Sequence, residues 1–346
     1  MIDGLDDALR DSRQPGLAEL RGVLSDLLDA PRVTGRLTRE DSLKGRRVYR
    51  LGFEMEGQVR TLVVKRQNLT RAQCNQLVAR RWLPAVGLGE RCPALLGVAA
   101  ERNAECVWHV YEDLGDWVLD PVNVERSRVE AAIDLIAGLH VRFAEHPLLP
   151  ECRLYGQDRG ITFYVANIRD AIRGLEILRP ASLDSDPGRM ALRDRLLRRL
   201  YKLHDEGLDR SRAMAELGGP ETMLHGDLWP TNILSVRTPE GIQTRLIDWN
   251  ATGVGPLTYD LSTFLYRFAA EHRPWILDRY QQAVAPLGWR VPEPGDMNVL
   301  LETAEISRLA NSLVWSCVAA AETHAAWPFD RLAEIETWFE TLQPAL

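Results

Sequence analysis

The stretch His225-Gly226-Asp227-Leu228-Trp229-Pro230-Thr231-Asn232, followed by Leu246-Ile247-Asp248-Trp249, decides how the rest of this 346-residue chain is read. Asp227 stands five residues before Asn232, and Asp248 stands sixteen residues after Asn232, at the end of an apolar run. An acid in the first position orients an attacking hydroxyl. A carboxamide and a second acid then hold a divalent ion on phosphate oxygens, so the spacing points to phosphoryl transfer. Magnesium suits such donors because it is a hard cation that takes few protein oxygens and completes its shell with water and phosphate.

The flanking residues say how these groups meet. Met223 and Leu224 are apolar before His225, Ile233 to Val236 is strand-like, Pro239-Glu240-Gly241 is turn chemistry, and Thr244 to Ile247 resumes a strand. A hairpin brings its outer ends together. Asn232 precedes its first strand and Asp248 follows its second, so the two candidate metal ligands are expected at one end.

Taken with Leu246-Ile247-Asp248-Trp249-Asn250 and the later Gly255-Pro256-Leu257-Thr258-Tyr259-Asp260-Leu261, the stretch resembles the signature of the aminoglycoside phosphotransferase and choline kinase group, small-molecule relatives of the protein kinases. The resemblance implies an α+β, bilobal protein kinase-like fold, with an antiparallel-sheet N-lobe and a mainly helical C-lobe. It implies Asp227 as the catalytic aspartate that orients the hydroxyl or accepts its proton, Asn232 and Asp248 as magnesium ligands, and His225 and Asp260 as braces of the catalytic loop. Trp249-Asn250 stands where protein kinases carry Phe-Gly, and Gly255-Pro256 follows too soon after Asp248 for a long activation segment. A small-molecule acceptor is therefore expected, and a protein acceptor is not.

Three domains are expected: an N-terminal helical extension over 1–30, a nucleotide-binding N-lobe over 31–113, and a C-lobe over 114–346 carrying the catalytic loop and acceptor site. Pro15 to Asp29 reads as an amphipathic helix, and Val33 to Thr38, Arg46 to Phe53 and Gln58 to Lys65 as strands. By the resemblance, the connection Arg39 to Gly45 lies over the nucleotide phosphates with Ser42 and Lys44 as donors, and Lys65 reaches the α and β phosphates. Leu69 to Pro84 is then the helix whose glutamate pairs with that lysine. Here the chain departs from the pattern: no acid lies between Lys65 and Glu90, and counting back from Arg81-Trp82-Leu83 puts Gln76 in that place. A glutamine accepts a hydrogen bond from an ammonium but does not neutralise it. Ala94 to Ala99 and Cys106 to Tyr111 read as further strands, the second leading into an adenine-facing hinge at Glu112-Asp113-Leu114-Gly115 whose side chains are not counted as contacts.

In the C-lobe, Val124 to Glu145 has a helical stripe that includes His140, expected as a hydrogen-bonded core histidine. Trp117 to Val122 and Glu151 to Arg169 read as irregular. Asp296 to about Ala326 reads as a helix with Glu302 on its apolar face, a contact for the acceptor or for an arginine. Trp315, Trp327 and Trp338 are candidates for a cation box or for core packing.

Composition bounds these readings. With 45% hydrophobic and 26% charged residues the chain is ordinary for a globular enzyme. No run approaches the ~18 apolar residues of a membrane span, the N-terminus has no signal-peptide pattern, and five scattered cysteines argue for reduced, buried thiols in a cytoplasm. The net charge of −7 disfavours nucleic acid as a partner. Residues 30–100 hold fourteen basic against five acidic residues, and residues 296–346 hold two against eight. That polarity suits a polyphosphate at the first part and a cationic acceptor at the last, although charge runs are also ordinary solvated faces.

The expected activity is an ATP- or GTP-dependent O-phosphotransferase that uses Mg2+. An aminoglycoside or antibiotic acceptor and a sugar or amino-alcohol acceptor remain open, as does a nucleotide-binding scaffold without catalysis. The oligomeric state is not legible in the sequence.

Overall fold

Strand alternation builds the first of two compact units, formed by Met1–Asp120, Glu125–Ala132 and Thr231–Thr252. The computed structural model describes residues 14–28, 36–44, 47–55, 58–178, 187–239, 241–322 and 327–346. Strands β1 (Arg36–Lys44), β2 (Val48–Met55), β3 (Gln58–Gln67), β4 (Leu95–Ala100) and β5 (Val107–Glu112) form a sheet in the order β1-β2-β3-β5-β4, every pair antiparallel. Directly opposed residues share a face. The register Tyr49↔Val64↔Val110 and Leu51↔Leu62 therefore gives one apolar face, and the intervening register Val48↔Lys65↔His109 and Arg50↔Val63↔Tyr111 gives the other.

Helix α1 (Leu17–Leu27) covers the apolar face with Leu17, Leu20 and Leu24, and each leucine so buried contributes about 2 kcal/mol. Its entry is pinned where Trp108 Nε1 donates to the Pro15 carbonyl at 2.9 Å. Gly97 on β4 permits the approach, since a Cβ there would lie 2.5 Å from Val23 Cγ1. The expected N-terminal helix is thus part of the sheet's core.

Two expectations for this unit change. Residues 39–44 are strand rather than loop, because Glu40, Asp41, Ser42 and Lys44 continue to pair with Leu51, Arg50, Tyr49 and Val48. Residue 47 is a turn, and 45 and 46 lie outside the described residues, as does the first half of the first expected strand, 33–35. The expected helix over 69–84 is present as α2 (Leu69–Leu77), capped by Asn68 Oδ1 on Arg71 N at 2.9 Å, but it runs on through a π-helical turn at Val78–Trp82 before closing at Leu83–Ala85.

The predicted hairpin is present as β8 (Ile233–Thr238) and β9 (Gly241–Leu246), with β6 and β7 described below. Residues 117–119, read as irregular, hydrogen-bond along β8: Leu119 N donates to Ile233 O at 3.0 Å and Ser235 N to Trp117 O at 2.9 Å. Arg128 clamps this edge by donating to the Val118 carbonyl at 3.0 Å and the Ser235 carbonyl at 2.9 Å.

The second unit comprises Pro121–Val124, Ile133–Pro230 and Gly253–Leu346 and is mainly helical. In chain order its helices are α3 (Arg126–Phe143, whose first turns belong to the first unit), α4 (Leu149–Tyr155), α5 (Ile161–Ile177), α6 (Pro187–Asp205), α7 (Gly207–Leu217), α8 (Thr258–Leu265), α9 (Arg273–Val284), α10 (Pro294–Glu322) and α11 (Trp327–Thr341). A small sheet sets β10 (Gly253–Pro256) parallel to β6 (Gln157–Asp158) and antiparallel to β7 (Glu221–Leu224).

The core lies where α5, α6, α10 and α11 meet, with Ile168, Leu175, Leu196, Leu313 and Leu332 among its buried residues. Residues 151–169 are therefore largely helical. The stripe Tyr164, Ile168, Ala171, Ile172 and Leu175 that proves it extends past the stretch read as irregular. Of the three tryptophans, Trp315 and Trp327 are mostly exposed, and Trp338 packs against the core.

The architecture is α+β and protein kinase-like, as the sequence predicts. All five cysteines are buried and outside any disulfide. Among the described residues, no helix is long and apolar enough to cross a membrane.

Candidate active site

The polar face of the first unit's sheet opens on a cavity of about 420 Å³, within the ~300–1,000 Å³ typical of small-molecule sites. Val48, Val63, Leu234 and Ile247 supply apolar lining, and Lys65, Asn232 and Asp248 line it as well. Strand period places Lys65 here, two residues beyond Val63 on the same face. The hairpin places the other two: Ile247 N donates to the Asn232 carbonyl at 2.9 Å, so Asn232 and Asp248 flank its open end.

Lys65 Nζ lies 2.7 Å from Asp248 Oδ1, with side chains 14% and 16% exposed. Asp248 is also held by Asn250 Nδ2 at 2.5 Å, and Asn75 Nδ2 donates to Asn250 Oδ1 at 2.9 Å. Asp248 has a left-handed backbone, φ +64°, which aspartate tolerates better than most residues and which is typical of functional turns.

Gln76 was expected to face Lys65, yet its Nε2 meets His109 Nε2 at 3.2 Å. The residue that reaches toward Asp248 is Asn75, and the π-helical turn explains the shift. Such a turn holds one more residue than an α-turn, so counting back through Val78–Trp82 lands one position late. His109 also meets Gln67 Nε2 at 3.0 Å and the Tyr111 hydroxyl at 2.9 Å. Burial, with the charges of Lys65 and Arg80, lowers His109 to about 4, so it is neutral at physiological pH. Ser42, expected among the phosphate donors, lies in β1 opposite Tyr49.

The hinge acids do more than turn the chain. Glu112 accepts from Ala94 N at 2.7 Å and pairs with Arg245. Asp113 pairs with Arg50 at 3.0 Å and accepts from Gly115 N at 3.0 Å. Both carboxylates fix the edge that borders the cavity.

In the second unit the His225–Asp227 loop, the candidate catalytic loop, hangs from Asp260 in the first turn of α8. Asp260 Oδ2 accepts from His225 N at 2.7 Å, Oδ1 accepts from Gly226 N at 2.9 Å, and His140 Nε2 lies 3.3 Å from Oδ2. Burial alone would raise this carboxyl. The His140 hydrogen bond, with His140, His225 and the Gly226 N–H, outweighs burial and holds it below the usual carboxylate range. His140 Nδ1 meets the Tyr280 hydroxyl at 2.9 Å, which makes it the expected core histidine. Asp227 N faces His225 Nδ1 at 3.4 Å, so the brace reaches the candidate catalytic acid.

Sequence reasoning missed the groups on the far side of Asp227. Glu305 of α10, fully buried, accepts from Arg267 Nη2 and Arg308 Nη2, each at 2.6 Å. The Arg267 guanidinium lies over the Trp229 ring at 4.0 Å and the Trp338 ring at 4.6 Å, and Arg308 lies 5.4 Å from Trp229. Only the helical spacing of Glu305 and Arg308 hinted at this. Glu302, singled out from the stripe, meets Arg210 at 3.1 Å.

Among the described residues, no group of three or more His, Cys, Asp or Glu could hold a metal ion. Magnesium needs no such group, and the carboxylate of Asp248 with the carboxamide of Asn232, both lining one cavity, is an oxygen donor set that fits it.

No curated protein sequence matches the chain. Among solved structures, a spectinomycin phosphotransferase determined with ADP and spectinomycin is 13% identical, with TM-score 0.57 over 93% of this chain and 94% of the other. A choline/ethanolamine kinase family protein from Mesorhizobium loti is 17% identical, with TM-score 0.56 over 94% and 95%. A macrolide 2'-phosphotransferase from Brachybacterium faecium is 18% identical, with TM-score 0.55 over 90% and 97%. These likenesses agree with the fold. The model of the phosphotransferase enzyme family matches residues 45–295, well over half of the chain, and the protein belongs to that family of small-molecule phosphotransferases.

Proposed function

We propose that the protein transfers the γ-phosphoryl group of ATP or GTP to a hydroxyl of a small molecule. The observation that carries this reading is the gathering of Lys65, Asn232 and Asp248, 183 residues apart at the extremes, on one cavity of small-molecule size. Lys65 steadies the α and β phosphates, exchanging its hold on Asp248 for them. Asn232 and Asp248 would hold magnesium, which when bound neutralises charge on the phosphate oxygens.

Asp227 accepts the proton of the acceptor hydroxyl as its oxygen attacks the γ-phosphorus. The bond to the β–γ bridging oxygen breaks, and the electron pair leaves with the nucleoside diphosphate. His225 and Asp260 hold Asp227 in place and take no part in proton transfer.

The test is magnesium-dependent turnover of ATP and of GTP with a panel of hydroxyl acceptors, the phosphorylated product being identified by mass. The reading expects transfer that the Asp227→Ala variant loses while its nucleotide affinity stays intact. Tight nucleotide binding without transfer to any acceptor would leave a scaffold in place of an enzyme.

A further inference from the structure

The charge around Asp227 contradicts what the sequence suggests about the acceptor. The last fifty residues are acidic, but four of their carboxylates are already spent on arginines: Glu302 on Arg210, Glu336 on Arg195 at 2.7 Å, Glu334 on Arg331 at 2.6 Å, and Glu305 on two guanidiniums. None of these is left to receive an ammonium. Beside Asp227 the sign is reversed, because Arg267 and Arg308 share the single carboxylate of Glu305.

Arg308 spends Nε and Nη2 on Glu305, at 3.0 and 2.6 Å, and its side chain is 15% exposed. A third guanidinium, Arg159, stacks 4.7 Å from Phe163 and 4.9 Å from Tyr259 and donates to the Tyr259 hydroxyl at 2.9 Å; Tyr259 lies within the field of Arg159 and Arg308 and of the carboxylates Glu305 and Asp260. Three guanidiniums thus stand among three carboxylates, Glu305, Asp227 and Asp260, and the oxygens of Asp260 are already taken by His225 N, Gly226 N and His140. Arg267 and Arg308 share one buried carboxylate with Asp227 as the second acid in their field, and a guanidinium donor that Glu305 does not use favours a further anion. The Asp227 charge acts on both Arg267 and Arg308, so an anion held there stands beside the catalytic acid. Once Asp227 takes up the hydroxyl proton, its own claim on those guanidiniums ends.

We propose that the acceptor is a small alcohol bearing an oxyanion, a carboxylate or a phosphate, that Arg308 binds with Arg267 next to Asp227, while the Trp229 ring walls the site. This rests on the phosphotransferase reading above and names its substrate class. Arg308 is the selective contact. A planar guanidinium with two donors on Glu305 still presents Nη1 to an oxyanion. The transferred group and the proton follow the step already given.

The experiment uses the full-length chain with magnesium and the better of ATP and GTP. The acceptors are hydroxy carboxylates, sugar phosphates, their uncharged esters or parent alcohols, and aminoglycoside and choline-type cations. The proposal expects an anionic class to be phosphorylated best, and which of the two anions wins tells a carboxylate from a phosphate. Arg308→Met is expected to raise KM for that acceptor by roughly 10²-fold with a much smaller change in kcat. Nucleotide affinity should not change, and the preference over the uncharged analogue should collapse.

Arg308→Lys keeps the charge and stem and should regain part of the loss. It also serves if the methionine variant fails to fold, because a KM equal to wild type in Arg308→Lys with no anionic preference overturns the proposal. Turnover of cationic or uncharged alcohols at least as good as that of anions, lost in Asp227→Ala, overturns the anion site and leaves the phosphotransferase reading standing. Nucleotide binding with no transfer to any class overturns both.

Discussion

Asp248 in the first unit and Asp260 in the second are both aspartates of the same motif, yet their surroundings give them opposite uses. Asp248 is partly open, sits on a left-handed backbone, and is paired with Lys65, a flexible ammonium that can trade one anion for another. Asp260 is wholly buried, and its oxygens are taken by two backbone N–H groups and an imidazole. The first acid is held by a partner that can leave, the second by partners that cannot. An exchangeable pair suits ligand binding, and a saturated buried acid suits scaffolding.

The contrast can be broken at either end. The largest effect is expected at Asp227: replacement by alanine should lower kcat by roughly 10²–10⁴-fold while the thermal midpoint and nucleotide affinity hold, as steady-state kinetics and calorimetry would show. Asp260→Ala should do the reverse. It strands the His225 and Gly226 N–H groups and His140, so chemical denaturation should show about 3–5 kcal/mol less stability, with a smaller loss of kcat per folded molecule than Asp227→Ala as the loop that holds Asp227 loosens. Asp260→Ala folding as stably as wild type would erase the distinction drawn here.

Acid should act through the first unit as well. The unfolded His109 takes up its proton near 6.5 and the folded one near 4, so between those values the unfolded chain binds more protons and stability falls as pH falls. The loss across that window is on the order of 3 kcal/mol. Denaturant titrations at a series of pH values should show it, and His109→Gln should flatten it. Lys65→Met should weaken nucleotide binding roughly 10–100-fold, the range for hydrogen bonds to charged groups, with little change in stability.

Smallest is Gln76→Ala. Losing its contact with His109 should cost about 1 kcal/mol of stability and leave nucleotide affinity within roughly threefold of wild type. A large affinity loss in this variant would return Gln76 to the role that counting along the helix gave it.

Much of this was legible before any coordinates. The hairpin after the His225–Asn232 stretch could be read because it is short and built from local rules: turn residues and two-residue alternation. The strands of the first unit followed for the same reason. Residues 151–177 were not read as helices because α5 carries its apolar stripe well past the window that was judged irregular. Residues 39–44 were missed as strand because they are mostly polar and are held by pairing with β2, which local preference does not report. Asn75 was hidden behind Gln76 by one added residue in a π-turn.

What the sequence determined by itself was the family and the α+β class, since those depend on residue type and near-neighbour spacing. Which charges remain available for a ligand was decided only by the tertiary structure. Glu302, Glu305 and Glu336 look like part of a cation-binding surface until packing brings Arg210, Arg267 and Arg195 from distant segments onto them, and Arg267, just past α8, meets Arg308 of α10 beside Asp227 only on folding. Net charge along a chain is additive. The field at a site depends on distance and burial, and both are set by the fold.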